Sequence, residues 1–143
     1  MRQVHRSALV THSAMDMFAL VDDIDSYPQF LPWCRDAEVH SRRGDVVEAT
    51  LTIHRAGLRK SFRTRNTNRP GEAIDVELHS GPFRRLDGGW RFTSLGDGGS
   101  RVALDLEFEF DNRMLDLAFG RVFEEICNSL VDAFTRRADE VYG

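Results

Sequence analysis

Apolar and polar residues alternate through most of the chain, and this period of two predicts a series of β-strands. The segment around Val4 and Val10 reads as a first strand. The clearest strand comes last, where Val102, Leu104, Leu106, Phe108 and Phe110 alternate with Ala103 and then with Asp105, Glu107 and Glu109. Between them lie further alternating runs, divided by turn signals at Arg42–Asp45, Ala56–Leu58, Asn68–Gly71, Gly81–Pro82 and Gly96–Gly99. The pattern predicts about six antiparallel strands after the first one.

Two stretches have a helical period instead. Ser13 is placed to cap a short helix over Met17–Val21. Asp22, Asp23, Asp25 and Ser26 either end that helix or begin another turn. From about Asn112 to Tyr142 the apolar residues recur every three or four positions and cover about half of the helix circumference. A long C-terminal helix therefore covers an apolar surface.

These elements predict a single α+β domain over residues 1–143. A curved antiparallel sheet of about seven strands must cover its apolar face, and only the C-terminal helix is long enough to lie across it. The expected architecture is a sheet wrapped round the long helix, with short helices after the first strand.

The composition mainly argues against several classes of function. The formal net charge is -4, which argues against bulk attraction to nucleic acid, and we expect no DNA partner. The two cysteines, Cys34 and Cys127, lie in apolar segments far apart, so we expect reduced thiols and a cytoplasmic protein, with peripheral contact at the inner membrane as a further option. The five histidines are scattered without metal-ligand spacing. We predict no metal, no cofactor, no catalytic residues and no enzymatic activity.

One irregular segment brings large apolar residues together between and directly beside two prolines. It reads Tyr27-Pro28-Gln29-Phe30-Leu31-Pro32-Trp33-Cys34. Proline fixes φ and pushes the preceding residue towards extended backbone, so this stiff loop either plugs the core or forms the mouth of an apolar cavity.

This segment carries a resemblance to a known family. Together with Gly81-Pro82-Phe83 and Ala133-Phe134, it resembles the coenzyme Q-binding START-domain family, which also contains the RatA-type ribosome-associated toxins. The resemblance spans essentially the whole chain and implies the helix-grip fold of the START and birch-pollen-allergen superfamily. A fold alone would license no function.

The resemblance implies a bound polyprenyl quinone such as ubiquinone, carried in support of respiratory electron transport. From the residue pattern we predict that apolar side chains converge between the sheet and the last helix, and that Thr64 and Asn66 add polar groups for the head of a ligand. The candidate ligand-binding residues are Phe18, Tyr27, Phe30, Leu31, Trp33, Leu51, Ile53, Phe62, Thr64, Asn66, Phe83, Trp90, Phe92, Val122, Phe123 and Ile126. We expect a cavity of roughly 300–1,000 Å³, with a long tail protruding near Pro28–Trp33. The same residues also fit ordinary core packing.

Basic residues concentrate on one predicted hairpin and support a competing hypothesis. The candidates for membrane or RNA contact are Arg55, Leu58, Arg59, Lys60, Arg63 and Arg65. They could meet anionic lipid, with Leu58 as an exposed apolar tip, or a ribosomal subunit through its RNA, as the RatA-type relatives block subunit association. A solvated basic face is the third interpretation. An aromatase- or cyclase-like enzyme, as found elsewhere in the superfamily, is a more distant alternative.

Overall fold

The computed structural model describes residues 1–143 and contains seven strands, two α-helices and one 3₁₀-helix. The strands are β1 (Arg2–Val10), β2 (Cys34–Arg43), β3 (Val46–Arg55), β4 (Leu58–Arg69), β5 (Ala73–Ser80), β6 (Phe83–Ser94) and β7 (Ser100–Phe110). The helices are α1 (Ala14–Asp22), the 3₁₀-helix Ile24–Gln29 and α2 (Arg113–Tyr142). None of the helices has the length and apolar character that spanning a membrane requires.

All strands form one antiparallel sheet in the order β1-β7-β6-β5-β4-β3-β2. Successive strands from β2 to β7 are joined by short turns, and β1 pairs with β7 on the far side. The predicted helix-grip fold is therefore confirmed, with α2 held against the concave face of the sheet.

The cap predicted at Ser13 is confirmed, and the structure shows a second cap at Asn112, where α2 begins. The Ser13 hydroxyl accepts a hydrogen bond from the Asp16 backbone N–H at 3.1 Å. The Asn112 side chain accepts from the backbone N–H groups of Met114 and Leu115, at 2.8 and 3.2 Å. These contacts satisfy donors that the first turn of a helix leaves free.

The position of α2 leaves room beside it. Its main contacts are with β1, β7 and α1, at one side of the sheet. Arg2 of β1 fastens this side, because its Nη1 lies 3.4 Å from Glu124 Oε1 on α2. The concave face of the more distant strands β3–β5 faces α2 across the core. This arrangement allows a cavity between them.

Candidate functional site

The site is an apolar cavity of about 90 Å³ between α2 and the concave face of the sheet. Eighteen of the 20 residues that line it are hydrophobic. This volume is smaller than the roughly 300–1,000 Å³ of typical ligand sites, so the expectation of a cavity in that range is wrong for this conformation.

Aromatic packing explains why the cavity is small. At one end Phe83 stacks on Phe110 at 4.6 Å between ring centroids, and Phe108 meets Phe123 edge-on at 4.7 Å. At the other end Phe134 of α2 packs edge-on against several rings, namely Tyr27, Phe30 and Trp90, at 5.2–5.4 Å. The space that remains lies between these two clusters.

Nine of the predicted residues line the cavity. They are Tyr27, Trp33, Leu51, Phe62, Thr64, Asn66, Trp90, Phe123 and Ile126. The inward direction of Thr64 and Asn66 follows from the alternation on β4, where Phe62, Thr64 and Asn68 are buried. The sequence pattern identified this strand face correctly.

Seven predicted residues lie outside the lining. They are Phe18, Phe30, Leu31, Ile53, Phe83, Phe92 and Val122. Leu31, Ile53, Phe83 and Phe92 are buried in the surrounding core, and Phe30 is half-buried against Phe134. Ile53, Phe83 and Phe92 share the concave face of the sheet with lining residues, but the cavity does not reach them.

Sequence reasoning missed the remaining lining residues. They are Val21, Ile24, Ala49, Ile74, Val76, Leu86, Leu104, Leu106, Cys127, Leu130 and Phe134. The helical period of Phe123, Cys127, Leu130 and Phe134 was a signal for the α2 residues, since all four fall on one side of the helix. The strand residues follow from the same alternation that placed Trp90 inside.

Most of the apolar residues of the segment between the two prolines pack into the core, and only part of the segment forms the cavity wall. Tyr27, Leu31, Trp33 and Cys34 are buried, while its prolines are exposed. Arg137 of α2 fastens the segment, because its Nη2 donates to Gln29 Oε1 at 2.9 Å and its guanidinium lies 4.9 Å from the centre of the Phe30 ring. Of its residues, Tyr27 and Trp33 contribute to the lining.

Two polar atoms in the cavity wall have no hydrogen-bond partner. They are the indole Nε1 of Trp33, a donor, and the amide Oδ1 of Asn66, an acceptor, and both are buried. A buried polar group without a partner costs about 1–3 kcal/mol. A ligand that offers a matching acceptor or donor would recover part of this free energy.

The titratable groups of the wall are unsuited to acid–base or nucleophilic chemistry at neutral pH. The Tyr27 hydroxyl donates to the Val21 carbonyl at 2.5 Å, and burial, together with the charge of Asp22, raises its pKa. Burial likewise raises the pKa of the Cys127 thiol, with a smaller contribution from Glu124. At Cys34 burial and the charge of Asp36 raise the pKa to about 11. Both cysteines are free thiols.

At the β3–β4 hairpin the predicted exposure of Leu58 is wrong. Leu58 is fully buried, at 0% exposure, and is not an apolar tip. The turn itself is Ala56–Gly57, and a Cβ at Gly57 would lie 3.7 Å from the Phe119 ring, so the hairpin end packs on α2 and carries Leu58 into the core. An exposed Leu58 was expected because sequence does not show what lies beneath a turn.

The basic residues of this hairpin divide between the two faces of the sheet. Strand alternation places Arg59, Arg63 and Arg65 on the convex face, whereas Arg55 and Lys60 share the register of the concave face and are exposed near the turn. Arg63 is paired with Glu48 at 3.2 Å. Arg63 and Arg65 line a convex-face groove with Arg43 and Ser41. His, Cys, Asp and Glu side chains form no group of three that could hold a metal ion.

The fold and the cavity agree with the family to which the sequence belongs. The chain belongs to the family described as polyketide cyclase / dehydrase and lipid transport, which matches residues 10–135. It is 47% identical over 143 residues to the ribosome association toxin RatA of Vibrio cholerae, covering 100% of this chain and 99% of that protein. It is 29% identical over 141 residues to the mitochondrial coenzyme Q-binding protein of Drosophila melanogaster, covering 93% of this chain and 58% of that protein.

A solved structure supports the same placement. An 18 kDa protein from Caulobacter crescentus superposes with a TM-score of 0.78 at 32% identity, covering 100% of this chain and 99% of that one. The resemblance predicted from the segment between the two prolines is therefore confirmed at the level of the family.

Proposed function

We propose that this protein binds a hydrophobic ligand with a polar head, of the quinone class, in the cavity between α2 and the sheet. The observation that carries the proposal is the pair of unpartnered polar atoms, Trp33 Nε1 and Asn66 Oδ1, in a wall that is otherwise almost entirely apolar. A quinone carbonyl accepts a hydrogen bond from an indole N–H, and the reduced quinol also donates one to an amide oxygen. An isoprenyl tail suits the remaining wall.

Relatives give the proposal independent support. The Drosophila relative is named as a coenzyme Q-binding protein, and the matched family is described as including lipid transport. The raised pKa values of Tyr27 and Cys127 in the wall favour binding over catalysis. We accordingly propose a carrier or chaperone that presents quinone to respiratory membranes.

Because the cavity is small, ligand binding requires side chains in its wall to move. At about 90 Å³ it cannot hold a quinone ring and isoprenyl units without moving side chains. Leu51 of β3 and Leu130 of α2 are only half-buried although they line it, so they form part of its rim. Ligand entry requires these side chains to give way.

A fluorescence titration tests the proposal directly. Trp33 and Trp90 are the two tryptophans of the chain, and both line the cavity. A ubiquinone with two isoprenyl units should quench their emission to saturation, and Trp33→Phe should weaken binding because the donor is lost. Organic extraction of the purified protein followed by mass spectrometry should identify a co-purifying quinone. Quenching no stronger than that of free tryptophan, with an empty extract, would reject quinone binding.

Ribosome association is a second candidate, and a different surface favours it. The Vibrio relative, 47% identical over the full chain, is named as a ribosome association toxin. On the convex face, Arg43, Arg63 and Arg65 line one groove together with Glu48, which pairs with Arg63 and leaves Arg43 and Arg65 without an ion pair within the chain. Guanidinium groups bind phosphate in bidentate fashion, so this groove suits an RNA backbone.

The second candidate has its own test. The protein should co-sediment with a ribosomal subunit in a salt-dependent manner, and Arg43→Glu with Arg65→Glu should weaken the association. Arg136→Glu, on the exposed side of α2, is the matched control and should have no effect. Absence of co-sedimentation at low salt would remove this candidate without affecting the quinone proposal.

A further inference from the structure

The first turns of α2 expose two large apolar side chains to solvent. Met114 is 79% exposed and Leu117 is 72% exposed. They lie three residues apart on one face of the helix, on the side away from the buried Phe123. Ala118, next to them, is also exposed. We call Met114, Leu117 and Ala118 the α2 apolar patch.

Basic side chains surround this patch. Arg113 precedes Met114, and Arg121 follows Leu117 by one turn, and both are exposed. Neither takes part in an ion pair of the structure. Asp111 and Glu125 are the exposed carboxylates at the two ends of the same stretch, and Asp116, between Met114 and Leu117 in sequence, is part-buried and lies 3.8 Å from Arg2 Nε. The patch therefore combines apolar surface with unpaired positive charge.

The β3–β4 turn brings further bases to the same end of the molecule. Because Gly57 lies against Phe119, the turn sits beside the first turns of α2. Arg55, Arg59 and Lys60 flank this turn, and all three are exposed without an ion pair. Arg55 and Lys60, on the concave face, thus lie at the same end of the molecule as the α2 apolar patch, although Phe119 contacts the turn from the other side of α2 and Leu58 itself is buried.

The other exposed apolar side chains have a different setting. Leu95 and Tyr142 lie at the opposite end of the sheet, close in sequence to Asp97 and Glu140, and Met15 is followed by Asp16. Carboxylates beside apolar residues repel an anionic surface. Leu9 pairs with Arg101 across β1 and β7, but it is a single apolar side chain. The start of α2 is the place where several exposed apolar residues and several unpaired bases coincide.

We propose that the start of α2, together with the β3–β4 turn, docks on the surface of an anionic lipid bilayer. Met114 and Leu117 enter the interface below the head groups, and Arg113, Arg121, Arg55 and Lys60 bind lipid phosphates. RNA fits this surface less well, because unpaired bases stack on exposed aromatic rings and the nearby Phe119 is half-buried. Docking here requires nothing of the cavity, although Phe123 and Ile126 of the next turns line it.

Vesicle sedimentation tests this surface. The full-length protein should bind vesicles of equal parts phosphatidylcholine and phosphatidylglycerol, and bind pure phosphatidylcholine vesicles much less. Met114→Glu with Leu117→Glu should weaken the partition by about tenfold or more, since it removes apolar insertion and adds like charge. The fold should be retained, because both side chains are exposed and acidic residues are favourable in the first turn of a helix.

A matched control isolates the position of the change. Leu9, 73% exposed on β1, offers an equally exposed apolar side chain away from α2, and Leu9→Glu should leave vesicle binding unchanged. Arg113→Glu with Arg121→Glu should also weaken binding, whereas Arg136→Glu should not. Quinone titration in vesicle-free buffer should be unaffected by Met114→Glu with Leu117→Glu, which separates docking from ligand binding.

Three results would overturn the proposal. The first is a wild-type protein that does not bind anionic vesicles at low salt. The second is undiminished binding by Met114→Glu with Leu117→Glu. The third is loss of ribosomal-subunit association in that variant without any vesicle binding, which would assign the surface to the ribosome instead.

Discussion

Asn66 and Asn68 lie two residues apart on the same face of β4, and their side chains are in different situations. Asn68 Nδ2 donates to Asp22 Oδ1 at 2.9 Å, which ties the strand to the end of α1, although Asn68 Oδ1 is itself buried without a partner. Asn66 lines the cavity, and its Oδ1 is buried without a partner. The polar group that costs stability at Asn66 is thus the one that a ligand head could use.

Asn66→Leu should therefore separate stability from binding. We expect the free energy of unfolding to rise by about 1–2 kcal/mol, because an unpaired buried acceptor is replaced by an apolar group, while quinone affinity falls. Urea denaturation and the tryptophan titration measure the two effects. Asn68→Leu is the control and should lower stability, since it breaks the bond to Asp22. A destabilised Asn66→Leu with unchanged affinity would contradict the assigned role.

The buried thiols and Tyr27 predict a loss of stability in alkali. Burial raises the pKa of Cys34 to about 11, and raises those of Cys127 and Tyr27 as well. In the unfolded chain a thiol titrates near about 8.5, so above that pH the unfolded state binds fewer protons than the native state. The linkage relation then makes the free energy of unfolding decrease as pH rises from about 9 to 11.

Urea midpoints measured from neutral pH to pH 10.5 check this dependence. Cys127→Ala should reduce the slope above pH 9, because one thiol that is protonated only in the native state is gone. A slope identical to wild type would show that Cys127 ionises equally in both states.

At the scale of elements, the β3–β4 turn contains a residue in an unfavourable backbone conformation. Ala56 has φ 50° and Gly57 has φ 85°, so both central residues have positive φ, as a type I′ hairpin turn requires. Glycine adopts this conformation freely, whereas alanine does so at a cost of about 1 kcal/mol. The packing of the turn on Phe119 holds Ala56 in place.

Ala56→Asn should stabilise the protein by about 0.5–1 kcal/mol, because asparagine tolerates the left-handed region and Asn-Gly is the favoured pair for this turn. Thermal denaturation measures the change. Gly57→Ala is the matched control and should destabilise, since it introduces a side chain at φ 85° beside the Phe119 ring. A lower melting temperature for Ala56→Asn would indicate that Ala56 has a packing role.

The helices and strands were largely predictable from the sequence, whereas the set of residues that line the cavity was not. Alternation located the strands, and the helical period placed α2 within one residue of its observed start at Arg113. Leu51 and Ile53 share the concave face, yet Leu51 lines the cavity and Ile53 does not. Period two assigns a side chain to a face, but its distance from the cavity depends on where α2 crosses the sheet.

At the scale of the whole molecule, the attachment of α2 determines how the cavity can open. The helix is held at β1, β7 and α1, whereas the cavity beneath it extends from Leu104 and Leu106 of β7 across to Leu51 of β3. Leu130 lines the cavity from α2 and is half-buried, whereas its neighbour Val131 is buried at 3% exposure outside the lining. Leu130 is thus a rim residue, and Val131 is an ordinary core residue.

Leu130→Ala should speed ligand entry at the expense of stability. Removing the rim side chain enlarges the cavity and its opening, so association of a short-tail ubiquinone, followed by stopped-flow tryptophan quenching, should become severalfold faster. The free energy of unfolding should fall by about 1–2 kcal/mol, at or below the lower end of the range for fully buried leucines. Val131→Ala should reduce stability at least as much without changing the association rate. Equal acceleration by both variants would mean that general loosening of α2, and not the rim at Leu130, limits entry.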